Sequence, residues 1–187
     1  MFNIYRIYQT HPDVNLIGKR STIVRYKAYG LEKYLRKDSE VLDVGANVCL
    51  FSIYVSDKVK SVDSVEYDAV KTKIGNIAKR MMKVDNVSIY NEDIKKFKSD
   101  KKYDVVFSFA IHMWVGCSLD EYIKILSNFL KPNGVILIES HSLRSSGDKL
   151  DTFLKENYKK YKVLESGLTD DDDGHLRRFY YIKPEVH

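Results

Sequence analysis

Short apolar segments of strand length alternate with longer amphipathic segments along most of the chain. The predicted strands are 40–44, 61–66, 86–91, 103–110, 135–140, 161–166 and 177–183. The predicted helices are 21–37, 49–58, 68–83, 118–131 and 148–160. Strands that alternate with helices build a parallel sheet, whereas two strands joined by a turn build a hairpin. The predicted fold class is therefore α/β: a doubly wound, mostly parallel seven-stranded sheet with helices on both faces and a C-terminal antiparallel hairpin.

Apolar residues at helical spacing predict the buried face of each helix. For the helices at 21–37, 68–83 and 118–131, these faces are Val24, Ala28, Leu31 and Leu35; Val70, Ile74, Ile77 and Met81; and Leu119, Ile123, Leu126 and Leu130. The Lys-Pro-Asn-Gly segment at 131–134 predicts the end of the last of these helices. The polar segment 167–176 predicts the hairpin turn, and its acids Asp170 to Asp173 are interpreted as solvated, so no metal site is predicted.

The 187 residues have the length of one domain. We expect 1–187 to form a single domain, with 1–24 as an N-terminal lid or substrate-side segment and 25–187 as the core. No apolar run approaches the roughly 20 residues that span a bilayer, and a secretory signal is not recognisable. The two cysteines fit neither a disulfide framework nor a zinc cluster, which predicts a cytoplasmic protein. The abundance of Lys, Ile, Asn and Tyr is typical of an AT-rich bacterial genome.

Acidic residues follow three successive predicted strands. The first strand ends in Asp43, Gly45 and Asn47, the second in Glu66, and the third is followed by Asp93 and Ile94. Because open parallel sheets bind ligands at the carboxyl ends of their strands, these residues are candidates for one site. Gly45 permits a positive φ angle and a close approach of the backbone to a ligand. A dinucleotide fingerprint would also need glycines at 47 and 50, where Asn47 and Leu50 stand, so a pyrophosphate ligand is disfavoured.

These motifs, in this order and spacing, resemble the class I S-adenosylmethionine-dependent methyltransferases. The resemblance covers roughly residues 20 to 183 and rests on VLDVGANVCLFS, VDSVEYD, YNEDIKKF, YDVVFSFAIHMW and LKPNGVILIES. It implies S-adenosyl-L-methionine as the cofactor, with Asp43, Gly45 and Asn47 near the methionine part and Glu66 on the ribose. It also implies Asp93 and Ile94 at the adenine, and Ser108 at the cofactor edge. Cys49 stands where many members have glycine, and we interpret it as a small buried residue.

Three side chains are candidates for the proton transfer that accompanies methylation of an oxygen or nitrogen. His112 follows the fourth strand, and Glu139 and His141 end the fifth. If that strand continues, Glu139 and His141 point to the same side, and the carboxylate would hold the imidazole in one tautomer and make it more basic.

The leading hypothesis is a methyltransferase acting on an oxygen or nitrogen of a small-molecule or sugar-like acceptor. The alternatives are a tRNA or RNA methyltransferase and a catalytically silent cofactor-binding regulatory domain. The formal net charge of +5 permits RNA binding, but the lysines are mostly mixed with acids, as on a solvated surface. No membrane partner is expected, and the oligomeric state stays open.

Overall fold

The computed structural model describes residues 7–12, 18–144, 147–170 and 175–185. The strands are β1 Ile7–Thr10, β2 Gly18–Ser21, β3 Glu40–Val44, β4 Ser61–Glu66, β5 Val87–Asn91, β6 Tyr103–Phe109, β7 Leu130–Glu139, β8 Tyr161–Asp170 and β9 Leu176–Pro184. The helices are α1 Thr22–Tyr29, α2 Leu50–Val55, α3 Ala69–Met81, α4 Leu119–Ser127 and α5 Leu150–Glu156. Short 3-10 turns lie at Leu31–Lys33, Ser56–Lys58 and His112–Trp114. No helix in these described stretches is long and apolar enough to cross a membrane.

Seven strands form one sheet in the order β5-β4-β3-β6-β7-β9-β8. All neighbours are parallel except β9, which runs antiparallel to both β7 and β8, so the predicted sheet and its C-terminal hairpin are confirmed. The chain continues from β3 to β4 on one side and returns to β6 on the other. This reversal of strand order opens a crevice at the carboxyl ends of β3 and β6, where such sheets bind ligands.

Helices cover both faces of the sheet because both faces are apolar. Leu42 and Val44 of β3 belong to a core cluster that α4 covers through Ile123 and Leu126. The neighbouring Val41 belongs to a second cluster, on the opposite face. Residues of one strand alternate between the faces, and this alternation gives the sheet its two cores.

The predicted buried face of the first helix is wrong at its N-terminal half. Val24 is 54% exposed and Ala28 is also exposed, whereas Thr22, Arg25 and Tyr29 are buried. The helix also ends at Tyr29 rather than at 37, because Gly30 takes a left-handed conformation with φ 60°. A left-handed glycine after the last helical residue is a common helix stop. Leu31 and Leu35, beyond this stop, are buried as predicted.

The predicted face of α3 is wrong at three of its four residues, whereas Ile74 is half-buried and packs against a core cluster. Val70, Ile77 and Met81 are 63%, 48% and 71% exposed, and the buried residues are Thr72, Gly75 and Ala78. Small residues on the inner face let the helix backbone approach the turn after β3 closely, so packing overrides the apolar periodicity. The third predicted face is confirmed for Ile123 and Leu126 of α4, which are fully buried.

Two predicted boundaries change in the C-terminal half. Helix α4 ends at Ser127, and residues 131–134 lie in β7 rather than in a helix stop. Strand β8 continues to Asp170, so 167–170 belong to the strand and not to the hairpin turn. Gly167 allows this extension because the ring of Phe179 on β9 occupies the space that a Cβ would need, with a closest approach of 2.6 Å. Asp171 to Asp173 lie outside the described residues.

The described part of the expected lid, 7–12 and 18–24, forms a parallel pair of strands, β1 and β2, followed by the start of α1. Gln9 of β1 is 4% exposed and reaches the turn after β3. Its amide nitrogen donates to the carbonyl of Ala46 at 3.4 Å, and its amide oxygen accepts from the N–H of Leu50 at 3.1 Å. The N-terminal segment is therefore attached directly to the ligand-binding edge of the sheet.

Candidate functional site

The turn between β3 and α2 forms the floor of the crevice. Gly45 has a φ of +69°, and the N–H groups of Gly45 and Ala46 both donate to the carbonyl of Val65 on β4, at 2.8 and 3.2 Å. A Cβ at position 45 would lie 2.6 Å from the side chain of Ile111. Only glycine combines this conformation with this space, which explains the residue type at the centre of the motif.

Glu66, at the end of β4, is held by the same turn. One carboxylate oxygen accepts from the N–H of Asn47 at 2.8 Å and the other from the N–H of Asp68 at 3.0 Å. The residue is 8% exposed and borders a cavity of about 1000 Å³ at the carboxyl edge of the sheet. A carboxylate oxygen has lone pairs for a further donor, so the fixed Glu66 can accept from both hydroxyl groups of a ribose.

The cavity extends along the sheet edge on both sides of β3. The acids that line it are Glu66, Asp68, Glu92 and Asp93, from the ends of β4 and β5. Lys71 and Lys95 line the same part, each 3.8 Å from one of these acids, Asp68 and Asp93 respectively. Arg25, His141, His175 and Arg177 line it on the side of β7 and β9. Apolar walls come from Val44, Val65, Ile94, Phe109, Ile111, Trp114 and Val115. This lining suits an elongated ligand with a flat apolar part, neighbouring hydroxyl groups and a charged end.

The structure brings five of the seven predicted cofactor residues to this cavity: Gly45, Asn47, Glu66, Asp93 and Ile94. Asp43 and Ser108 lie beneath its floor, 2% and 0% exposed. Ser52 donates to the Asp43 carboxylate at 2.5 Å, and Ser108 shares a hydrogen bond of 2.8 Å with Tyr122. Burial raises the pKa of Asp43 to about 6, against the opposing effects of Ser52 and Arg25.

Glu139 does not pair with His141, contrary to the expectation. It is fully buried, and both its oxygens accept from the guanidinium of Arg20, each at 2.9 Å. Tyr29 and Thr169 donate to the same carboxylate at 2.6 and 3.0 Å. Burial alone would raise the pKa of Glu139, but the charge and hydrogen bonds of Arg20 outweigh it and lower the pKa to about 2. This geometry suits a structural anion rather than a base.

The two candidate histidines are linked through Asp148. His112 Nε2 lies 3.1 Å from one Asp148 oxygen, and the other oxygen accepts from the backbone N–H of His141. His112 is 5% exposed and borders a second, shallower pocket. His141 borders the main cavity, and its buried Nδ1 has no hydrogen-bond partner in the described structure. Burial and the charge of Arg177 lower the pKa of His141, which favours the neutral imidazole.

Arg25 is the cavity residue whose role sequence reasoning missed. It is 1% exposed, and its guanidinium carbon lies 4.8 Å from the ring centre of Phe51 and 4.7 Å from that of Phe109. Its Nε donates to Tyr29 at 3.1 Å, but both terminal nitrogens lack a hydrogen-bond partner among the described residues. The signal in the sequence is the spacing of Thr22, Arg25 and Tyr29, which is that of one helical face.

Comparison with known proteins supports one family. A family model described as a methyltransferase domain matches residues 35–180. Malonyl-[acyl-carrier protein] O-methyltransferase 2 of Ilyobacter polytropus is 28% identical over 159 residues, 79% of this chain and 61% of that protein. Ribosomal protein L11 methyltransferase of Acetivibrio thermocellus is 23% identical over 138 residues, 73% of this chain and 42% of that protein. The chain thus spans less than two thirds of the length of either relative.

A solved structure shares the fold. The S-adenosylmethionine-dependent methyltransferase of Geobacter sulfurreducens, in complex with S-adenosyl-L-homocysteine, superimposes with a TM-score of 0.70 at 16% identity. The match covers 87% of this chain and 90% of that one. The match shows that the two chains share the fold, including the mostly parallel sheet with its antiparallel strand.

Proposed function

Because the chain belongs to the class I S-adenosylmethionine-dependent methyltransferases, whose cofactor is S-adenosylmethionine, we propose that it is a cytoplasmic enzyme that methylates an oxygen or nitrogen of a small-molecule acceptor. The observation that carries this proposal is the position of the Glu66 carboxylate at the end of β4. The carboxylate is fixed by two backbone N–H groups at the edge of a cavity of about 1000 Å³, a volume that can hold a nucleoside with an amino-acid tail. The two free thiols, Cys49 and Cys117, support the cytoplasmic assignment.

In this proposal the adenosine occupies the acidic half of the cavity. Glu66 accepts from the ribose hydroxyl groups, Ile94 contacts the adenine ring and Asp93 accepts from its exocyclic amine. Gly45 and Asn47 lie beneath the junction of the ribose and the methionine part. Asp43 acts from below the floor, where its charge favours the positive sulfonium and ammonium groups across the turn.

Arg25 fits the carboxylate of the methionine part. The residue borders the cavity and interacts electrostatically with Asp43, and its two buried terminal nitrogens have no hydrogen-bond partner among the described residues. A buried guanidinium with unsatisfied donors is costly, and a carboxylate would satisfy two donors at once. The residues present therefore suit both charged ends of the amino-acid tail.

The chemistry that the cofactor supplies when bound is a methyl group activated by a sulfonium. The contribution of the chain is mainly to position the acceptor atom in line with that methyl group and to exclude water. For an acceptor that carries a proton, His141 is the proposed base, because it borders the cavity and is held in its neutral form. His112 acts through Asp148, which fixes the backbone of His141. Glu139 supports the site without receiving the proton.

The test is calorimetric titration with S-adenosyl-L-homocysteine of the unmodified protein, Glu66→Gln and Glu32→Gln. Glutamine keeps the size of Glu66 but loses its charge and one acceptor, so we expect at least a tenfold weaker affinity. Glu32 is exposed, and its variant is the matched control with unchanged affinity. Equal binding by Glu66→Gln would contradict the placement of the ribose.

A further inference from the structure

An exposed indole borders the cavity beside the proposed base. Trp114 is 76% exposed and lines the cavity, although tryptophan is among the side chains that gain most free energy from burial. Its ring centre lies 6.1 Å from that of His141, with 62° between the two ring planes, which is an edge-to-face contact. An indole with this exposure has most of its surface free. Trp114 can therefore contact a ligand that lies next to His141.

The backbone that carries this indole is anchored on both sides. Trp114 ends a 3-10 turn, and its N–H donates to the carbonyl of Ile111 at 2.8 Å. His112, in the same turn, is 5% exposed, and its Nε2 lies 3.1 Å from an Asp148 oxygen. Ile111 and Val115 pack against the core cluster that α4 covers. The indole is thus held on a fixed support, and an aromatic side chain has few torsions to immobilise when a ligand covers it.

The surface around the indole is apolar and open. Met113 is 41% exposed, and Leu143, two residues after His141, is 37% exposed. Gly116 follows in the same loop with a φ of +70°, and the nearest atom to a Cβ there would be 3.8 Å away. This glycine lines both the main cavity and the second pocket, which has a volume of about 420 Å³. The loop beside Trp114 therefore leaves space for the part of an acceptor that does not react.

We propose that the acceptor carries a flat aromatic ring and that Trp114 binds this ring by stacking. This inference rests on the proposed function, since it describes the acceptor of that reaction. Two stacked aromatic rings gain more than the burial of their area, whereas a saturated ring on the indole gains the burial alone. An oxygen or nitrogen substituent on a ring that lies over the indole reaches towards His141, whose ring centre is 6.1 Å away. Trp114 thus selects the acceptor and directs its reacting atom towards the base.

The first test uses the full chain, isotope-labelled and saturated with S-adenosyl-L-homocysteine. Trp114 is the only tryptophan in the sequence, so the nuclear magnetic resonance spectrum has a single indole N–H signal. The probes are 2-naphthol and decahydro-2-naphthol, which share a fused double ring and a hydroxyl group but differ in aromaticity. The saturated probe has no less apolar surface, so burial alone gives no preference for 2-naphthol.

We expect 2-naphthol to bind at least about threefold more tightly than decahydro-2-naphthol and to shift the indole signal through its ring current. Binding of neither probe, equal affinities or tighter binding of the saturated probe would each overturn the proposal. So would binding of 2-naphthol that leaves the indole signal in place.

Substitution then tests the assigned residue, with affinities measured by calorimetry. Trp114→Leu keeps an apolar side chain but removes the ring, so the preference for 2-naphthol should fall to about onefold. Trp114→Phe restores a ring and should recover most of the preference. Tyr158→Leu is the matched control: Tyr158 is 66% exposed and is not among the described residues that line the cavity, so the preference should stay. A preference that persists in Trp114→Leu contradicts the role of this residue.

The outcomes separate the two proposals. If S-adenosyl-L-homocysteine does not bind the unmodified protein, the proposed function fails, whereas intact cofactor binding without an aromatic preference overturns only the aromatic acceptor. Trp114→Leu should bind S-adenosyl-L-homocysteine within about twofold of the unmodified protein, because the two sites are separate. A large loss would assign the indole to the cofactor and overturn this inference. If Trp114→Leu fails to fold, the two probes on the unmodified protein still decide.

Discussion

At the residue scale, the site contains a buried carboxylate, Asp43, at a position where an apolar or neutral side chain would make the fold more stable. Asp43 is 2% exposed and its pKa is raised to about 6 by burial. Near neutral pH the carboxylate is therefore charged at a cost to stability. The residue contributes in return a negative charge directly below the turn that the sulfonium and ammonium groups would approach.

Replacing Asp43 by Asn should therefore stabilise the protein and weaken the cofactor site. In the unfolded chain Asp43 titrates near 3.8 and in the fold near 6, so the wild-type protein loses stability as pH rises through this window. We expect Asp43→Asn to raise the free energy of unfolding by roughly 3 kcal/mol at pH 8 and by less than about 1 kcal/mol near pH 4. Urea denaturation at both pH values measures this; a constant difference would contradict the account.

His141 offers a second prediction at this scale. Burial and the charge of Arg177 lower its pKa, so its ring should titrate below about 6.5, the ordinary histidine value. Nuclear magnetic resonance of the labelled ring across the pH range gives the midpoint directly. Arg177→Gln should shift this midpoint upward, because it removes a neighbouring positive charge. A midpoint at or above the ordinary value in the unmodified protein would exclude His141 as a neutral base near pH 7.

At the element scale, α3 and the turn before α2 are fitted to each other through Cys49. Cys49 has a φ of 57°, a conformation that glycine adopts more readily, and it is fully buried. Burial raises its thiol pKa, so the residue is a poor nucleophile and agrees with the interpretation of a small buried side chain. On α3, a Cβ at Gly75 would lie 3.1 Å from the Cys49 sulfur. Gly75 on α3 therefore leaves the space that the Cys49 side chain occupies in place of the glycine that many family members have in this turn.

A double-mutant cycle tests this fit. Gly75→Ala should gain up to about 1 kcal/mol of helix propensity, but in the wild-type background the crowding against Cys49 offsets this gain. In the Cys49→Gly background the same substitution should be more favourable, with an interaction energy of about 1 kcal/mol. Thermal or urea denaturation of the four proteins gives that energy. Additive effects would mean that the two residues are independent.

The elements show what sequence could predict and what it could not. The seven strands of the main sheet and the Asp43 to Asn47 turn were predictable, because strand length, apolar runs and a glycine in a turn are local signals, whereas β1 and β2 were not predicted. The faces of α1 and α3 were not, because Gly75 and Ala78 are buried for their small size and Val70 is left exposed. Arg25 was missed for a related reason: its aromatic neighbours Phe51 and Phe109 come from other elements, so only the folded chain brings them together.

At the scale of the whole molecule, one buried carboxylate joins the N-terminal segment to the sheet. Glu139 of β7 accepts from Arg20 of β2, Tyr29 of α1 and Thr169 of β8. The expected pairing of Glu139 with His141 was based on strand alternation, which predicts on which side of the sheet a side chain lies. Alternation does not predict the partner, which is Arg20 of the N-terminal segment. The network holds together four elements around the base of the cavity.

Glu139→Gln should therefore destabilise the whole domain. Glutamine removes the negative charge that faces Arg20 in this buried pair, and we expect a loss of about 3 kcal/mol at pH 7. Glu139 has a pKa of about 2 in the fold and 4.5 when unperturbed, so its contribution is present above 4.5 and lost as pH falls toward 2. Urea denaturation should show the deficit shrinking across that range. A deficit that persists at pH 2, or none at pH 7, would contradict this role.

The central claim is that the cavity at the carboxyl edge of the sheet holds an adenosyl amino acid. The most direct measurement is calorimetric titration of the unmodified protein with S-adenosyl-L-homocysteine, with NAD titrated in parallel. The account predicts binding of S-adenosyl-L-homocysteine in the micromolar range and none of NAD, because the turn has Asn47 and Leu50 where a pyrophosphate-binding turn needs glycine. Binding of NAD, or of neither ligand, would contradict it.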